Sequence, residues 1–281
     1  MASVSQPRLP VINMENLTPG TESWDMTSHK VRRTLEEYGC FVAVYGGFSQ
    51  EAKKQVFDAI KTLFDLPLET KIKNTSDKPF HGYVAPFPTR PLFEGTGIEY
   101  PTNYDNVQSF ANLMWPSGNE NFSKTMHSYA NLVSQLENMV RKMVFESYGV
   151  EKYYESHNES VTCLLKVDGL EVQIKEDDDD EWVTVEFLPS SFVVMATDTF
   201  MAWSNGRLRS PRHRVVMNVQ EDRYSIALFT FKNGIVEIPE EFIDDEHPPR
   251  FKPFDHYEFT EYFAKNPINL DERAIKSFCG V

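Results

Sequence analysis

The residues best suited to chemistry lie between Ser210 and Phe229, in the run Ser-Pro-Arg-His-Arg-Val-Val-Met-Asn-Val-Gln-Glu-Asp-Arg-Tyr-Ser-Ile-Ala-Leu-Phe. His213 can bind a metal through a neutral ring nitrogen. Arg223 can grip a carboxylate with two parallel N–H bonds. Ser225, two residues on, shares a strand face with it and can add a hydroxyl donor. The run reads as two β-strands joined by an acidic turn, the first opening with His213 and the second with Arg223 and Ser225. Such a hairpin offers one metal ligand and one carboxylate clamp to a common interior. A single strand histidine says little, and so does a single Arg-x-Ser pair; the signal is the two together.

The rest of the chain must position these groups. Its 281 residues suffice for one large domain or two modest ones, and a hydrophobic fraction of 41% supports a buried core. A net charge of −14 argues against nucleic acid as a partner. Part of that acidity is local, in Glu176–Glu181 and Glu240–Glu246, and such runs read as solvated turns. No apolar run approaches a membrane span, and no secretory signal is visible at the N-terminus. Three widely spaced cysteines, Cys40, Cys163 and Cys279, fit reduced thiols. Together these predict a cytoplasmic protein with neither nucleic acid nor a membrane as partner; a monomer or weak homodimer is expected.

The N-terminal half reads as mostly helical. A short apolar strand is expected at 9–14. A helix capped by Thr27 or Ser28 should carry Val31, Leu35 and Tyr38, and Gly39 should end it. The continuous apolar run 40–45 reads as a strand. Ser49 should cap a second helix with Ala52, Val56, Ile60 and Leu63 on one face. Residues 74–122 read as irregular, rich in proline and aromatic residues. The strongest helix is predicted over 123–147, with Phe122, Met126, Tyr129, Val133, Leu136, Val140 and Val144 on its apolar face, ended by Gly149.

From Val161 the apolar period changes to two. Strands are expected at 161–165, 170–174, 182–187 and 192–196, a turn at Asn205-Gly206, then the hairpin described above and a short strand at 235–238. Two helices are expected near 256–265 and 271–277. Helices followed by strands predict an α+β fold. The expected divisions are an N-terminal region with its aromatic-rich cover at 1–122, the long helix and its connection at 123–160, the strand-rich domain at 161–240 and a helical tail at 241–281.

This order of elements resembles the plant-type Fe(II)- and 2-oxoglutarate-dependent dioxygenases of the isopenicillin N synthase-like superfamily. The resemblance rests on Leu9-Pro10-Val11-Ile12, Gly39-Cys40-Phe41-Val42-Ala43-Val44, the run 59–67, Asp168-Gly169-Leu170-Glu171-Val172, Asp198, Trp203-Ser204-Asn205-Gly206, Ser210-Pro211-Arg212-His213-Arg214-Val215 and Arg223-Tyr224-Ser225. Phe80-His81-Gly82-Tyr83 and Met201-Ala202-Trp203 look most like the branch of the glucosinolate side-chain oxygenases. The resemblance implies a double-stranded β-helix, or jelly roll, under a helical N-terminal layer. It implies Fe(II) and 2-oxoglutarate, with ascorbate as an accessory reductant, and hydroxylation, desaturation or dealkylation of a small specialised metabolite. His213 would be a metal ligand, and Arg223 and Ser225 would hold the 2-oxoglutarate carboxylate. The loop 79–93 would line the substrate pocket.

The family's iron also needs a His-x-Asp pair on an early strand. No His-x-Asp occurs in this sequence, and Cys163-Leu164-Leu165-Lys166 runs straight into Val167-Asp168-Gly169-Leu170. The jelly roll is therefore expected to be incomplete, short of roughly thirty residues, or two to three strands with their turns. An alternatively spliced product or a gene model with a lost exon would produce such a junction. His157-x-Glu159 has the chemistry of a substitute pair but precedes the junction. Asp168 reads as a turn former and Glu171 as a solvent-facing residue. His29, His81, His127, His247 and His256 read as structural. The alternative to an active oxygenase is a catalytically inactive isoform that at most binds a small acid or a full-length relative, and a poorly folding chain is a third reading.

Overall fold

The computed structural model describes residues 8–86, 93–156, 159–166, 170–174, 182–216, 224–232, 234–266 and 273–281. The chain opens with β1 (Val11–Asn13), α1 (Glu22–Glu37) and β2 (Cys40–Val44), followed by α2 (Gln50–Phe64) and the short α3 (Leu68–Lys71). After the cover segment come β3 (Glu94–Glu99), α4 (Tyr104–Met114) and the 29-residue α5 (Glu120–Tyr148). The strand-rich half holds β4 (Glu159–Lys166), β5 (Leu170–Gln173), β6 (Trp182–Thr184), β7 (Ser191–Met195), α6 (Asp198–Trp203), β8 (His213–Val215) and β9 (Ser225–Phe231). β10 (Ile235–Val236), β11 (Phe254–Asp255), α7 (His256–Lys265) and α8 (Ala274–Cys279) close the chain.

The helices start where side-chain oxygens meet their unpaired N–H groups. Ser49 accepts from the Ala52 N–H at α2, and Asn119 accepts from the Phe122 N–H at α5. Gly149 ends α5 in the left-handed conformation, at φ +69°, which glycine adopts without steric cost. α1 begins about a turn and a half earlier than the apolar spacing predicts. Its cap is Thr21, not Thr27 or Ser28, and its first turn is mainly exposed and polar apart from Trp24. The stretch 74–122 is also more regular than expected. β3 and α4 lie inside it, α4 capped by Asn103 and burying Val107, Phe110, Ala111 and Met114. The turn expected at Asn205-Gly206 is present, and the residues just before it form the helix α6.

The described strands form three three-stranded sheets, ordered β1-β2-β7, β3-β4-β9 and β6-β5-β8, and the two-stranded pair β10-β11. Side-chain alternation shows how they stack. On β2, Phe41 and Ala43 face α1 and α5 in a core with Leu35, Leu136, Val140 and Trp203. Cys40 and Val42 face the other way, onto Val172, Val183 and Val185 of the β6-β5-β8 side. On β9, Ile226 joins a third core with Val56, Ile60, Phe64, Val107 and Met126 from α2, α4 and α5. The result is an α+β sandwich. Two sheets have their backs to the helices, and β6-β5-β8 covers the inner face of β1-β2-β7.

One expectation fails here. The two strands of the run 210–229 do not pair with each other. β8 pairs with β5, while β9 pairs with β4 in another sheet. Their alternating patterns are those of a hairpin, but the partners are chosen by two separate cores.

Candidate functional site

His213 opens β8 opposite Val172. Opposed residues of an antiparallel pair share a face, so His213 projects to the side on which Val172 is buried, the space between the sheets. It is nevertheless exposed, because β8 is the last strand of its sheet. Its Nδ1 lies 3.4 Å from the Pro211 carbonyl oxygen. The approach to β8 is held rigidly. Asn205, at φ +55°, accepts from the Arg250 N–H at 2.9 Å and donates to the Phe242 carbonyl at 3.0 Å. Arg209 donates to the carbonyls of Gln173, Ile174 and Glu37, tying the segment to β5 and α1. The Trp203–Gly206 motif thus positions β8 and does not itself face the site.

Ser225 opens β9 opposite Leu165, which stands opposite Gly95 of β3. Tyr224 and Ile226 on either side of it pack against the helical layer, Tyr224 stacking on Phe64 at 5.9 Å between ring centroids. Alternation therefore turns Ser225 to the inner face. Among the described strands β9, like β8, ends its sheet. Arg223, expected to hold a carboxylate together with Ser225, lies outside the described residues, as do His157 and Asp168. Glu171 is on the outer face of β5. It accepts from Arg214 at 2.8 Å, and Arg214 in turn lies over the Trp182 ring.

Asp198 is a carboxylate that the motif reading left without a role. It heads α6, is largely buried, and lies 3.7 Å from Arg273. Burial raises its pKa, while a hydrogen bond with Ser210 and the nearby His213 oppose the rise. A second His-x-carboxylate pair, His256-Tyr257-Glu258, also escaped the sequence reading. The His256 ring is buried, accepts from the Lys232 N–H at 3.1 Å and packs on Phe231 at 4.8 Å, so it closes the core. His81 is equally enclosed, against Phe231 and Tyr257. These rings, with Lys78 lying 4.6 Å over Tyr257, join the cover segment to α7 beside the far end of β9.

The cover is fastened by a buried cluster. Lys71 Nζ lies 2.5 Å from Glu94 and donates to the Phe64 carbonyl at 2.8 Å, and the Tyr83 hydroxyl donates to the same carboxylate oxygen at 2.5 Å. Burial and this carboxylate push the Tyr83 phenol up. Val84 exchanges backbone bonds with Gly95, so the cover is stitched to the sheet that carries Ser225.

A sandwich of sheets backed by helices, with His213 and Ser225 each on the inward side of its own sheet, is a jelly-roll type of fold. Residues 146–232 match the 2OG-Fe(II) oxygenase superfamily, and residues 9–92 match the N-terminal region described as non-haem dioxygenase in morphine synthesis. The chain is 36% identical to the "Probable 2-oxoglutarate-dependent dioxygenase AOP1.2" of Arabidopsis thaliana, over 96% of this chain and 95% of the relative. That pairing runs over 313 positions against a chain of 281 residues, so at least 32 residues of the relative have no counterpart here. Among solved structures, the rice dioxygenase for auxin oxidation matches with a TM-score of 0.78 and 25% identity, over 98% of this chain and all of that one. The 2-oxoglutarate complex of the Arabidopsis thaliana dioxygenase for auxin oxidation 1 matches with a TM-score of 0.76 and 24% identity, over 85% of this chain and 99% of that one. The chain belongs to the 2-oxoglutarate- and Fe(II)-dependent oxygenase superfamily, whose cofactors are Fe(II) and 2-oxoglutarate.

The described residues do not fit the family's three-ligand iron site. Among them no three His, Cys, Asp or Glu side chains converge. His213 stands exposed at an open sheet edge, with Asp198 held by its own partners nearby. Nor is any described helix long and apolar enough to cross a membrane.

Proposed function

We propose that this chain carries the cosubstrate half of an oxygenase that oxidises a small specialised metabolite. Arg223 and Ser225 bind the distal carboxylate of 2-oxoglutarate, and His213 faces the metal position. The observation that carries this reading is the placement of His213 on β8 and Ser225 on β9 of the family fold, each on the inward side of its own sheet. Arg223 lies two residues before Ser225 in the sequence, and a guanidinium with a hydroxyl is the donor set a carboxylate takes. The relatives' names support a small organic substrate, and the aromatic cover beside β9 supports an apolar or aromatic one.

Purified protein with Fe(II), 2-oxoglutarate and a metabolite panel should release succinate, and a His213→Ala control should not. Equal turnover by both would sink the catalytic assignment. Calorimetric binding of 2-oxoglutarate should weaken about tenfold in Ser225→Ala, the worth of one hydrogen bond to a charged group. It should weaken further in Arg223→Met. One observation favours a second reading, the inactive isoform: the sequence holds no His-x-Asp. Family membership does not favour it. Cosubstrate binding that persists without any succinate release would select it.

A further inference from the structure

Phe231, the last residue of β9, is a hub for three rings. Tyr257 stacks on it at 5.6 Å between centroids and 4° between planes, His256 lies 4.8 Å away and His81 5.3 Å away. Two of these rings open α7. The third belongs to the cover, which also meets α7 through His81 on Tyr257, Lys78 over the Tyr257 ring and Phe80 against Phe263. Both histidines are buried, yet their hydrogen bonds differ in kind. His81 Nδ1 lies 2.8 Å from the Pro79 carbonyl oxygen, an acceptor that suits a proton-bearing nitrogen whether the ring is neutral or charged. His256 Nδ1 accepts from the Lys232 N–H at 3.1 Å. A nitrogen that accepts carries no proton, so this bond exists only while the ring is neutral. Protonation would set one N–H against another in a buried place. It would also put a positive charge on the first residue of α7, where the helix dipole opposes it.

We propose that His256 is a pH-sensitive latch: while neutral it holds α7, and with it the cover residues 78–84, closed on the end of β9, and on protonation it releases them. The charged and titratable groups at this junction are Lys78 and His81 from the cover, Glu99 from β3, Lys232 and Glu237 after β9, and Asp255, Tyr257 and Glu258 beside His256 itself. Lys78 bonds to the Tyr257 hydroxyl at 3.3 Å and lies 3.8 Å from Glu99. Asp255 accepts from the Tyr257 and Glu258 N–H groups, and the Lys232 ammonium donates to the Ile235 carbonyl. Of these groups, the two histidines are the ones that ordinarily change charge between pH 5 and 8. The His81 bond survives that change and the His256 bond does not. The latch is therefore closed above the free imidazole range, about 6.5, and opens as the pH falls through and below it.

The test is amide hydrogen exchange of the full chain at pH 7.5 and 5.5, corrected for the intrinsic effect of pH and read against β2 as an internal reference. A ring that must be neutral to dock, with a free pKa of about 6.5, makes opening about tenfold more frequent at pH 5.5 than at 7.5. Residues 78–84 and α7 should lose about tenfold in protection relative to β2. His256→Asn keeps an acceptor oxygen for the Lys232 N–H and does not titrate, so the loss should vanish. His81→Asn keeps a donor for the Pro79 carbonyl and should leave the loss in place. Protection that does not change with pH overturns the proposal, and so does a loss abolished by His81→Asn and retained in His256→Asn. If His256→Asn does not fold, the imidazole nitrogen shifts of the wild type decide. His256 should keep its proton on Nε2 alone for as long as the cover stays protected, and a ring that becomes doubly protonated under an undiminished cover overturns the latch.

Discussion

Breaking the Lys71–Glu94 pair should cost far more than removing it whole. Both side chains are enclosed, with 10% and 12% of their surface exposed, and their charged atoms are 2.5 Å apart. Glu94→Gln preserves volume and an acceptor for the Tyr83 hydroxyl, but leaves the Lys71 ammonium buried without a counter-charge, beside the Phe64 carbonyl and the Tyr83 ring. Lys71→Met leaves the Glu94 carboxylate buried with only Tyr83. An uncompensated buried charge costs about 3–5 kcal/mol. For a domain of this size that is a fall of roughly 6–10 °C in melting temperature, at about 2 °C per kcal/mol. The double variant Lys71→Met/Glu94→Gln buries no charge and should lose only about 1–2 kcal/mol, giving a coupling of at least about 4 kcal/mol. Urea denaturation at pH 7, followed by the fluorescence of the four tryptophans, measures all three variants. Single variants that each lose less than about 1 kcal/mol would show a pair screened like a surface ion pair. An additive double variant would show no coupling. Either result would refute the reasoning and remove the pair as the fastening of the cover.

Two further outcomes follow from burial. Burial pushes the Cys40 thiol up to about 12 and the Cys279 thiol up to about 11. Both should resist iodoacetamide at pH 8 in the folded chain and react once it is unfolded in urea; peptide mass spectrometry reads the labelled sites, and rapid native labelling of Cys40 would contradict the packing described. Glu137, enclosed beside Arg141, has its pKa raised chiefly by burial, with Arg141 and Thr230 opposing. The folded chain therefore holds this proton more tightly than the unfolded one, and the ionised group costs stability as pH rises from below about 4.5 through its folded pKa. The stability of the wild type relative to Glu137→Gln should fall over that rise, and an opposite slope in paired denaturation curves would show that Arg141 outweighs burial.

Local pattern was enough wherever local forces decide. Ser49 and the 3.6-residue spacing mark α2, Gly149 ends α5, and α7 matches its predicted 256–265. The same logic misplaced the start of α1, because the first turn is mostly exposed and its cap, Thr21, shows no apolar stripe after it. β3 was hidden by its composition: Gly95 and Gly97 have poor strand propensity. Gly97 is needed there because a Cβ would lie 2.5 Å from the His81 carbonyl oxygen. α4 carried a readable signal, Val107, Phe110, Ala111 and Met114 after Asn103, within a stretch dominated by prolines and aromatics.

The sequence by itself determined the family, the residue types of the clamp and the lack of a His-x-Asp pair, because these depend on identity and spacing along the chain. Only the tertiary structure decided that β8 and β9 part company. Alternation states which side chains share a face, but not which strand lies alongside, and that choice follows from burying Val172 in one core and Ile226 in another. The same packing decided that His213 and Ser225 face inward from two different sheets, on strands that are the last of their sheets among the described residues.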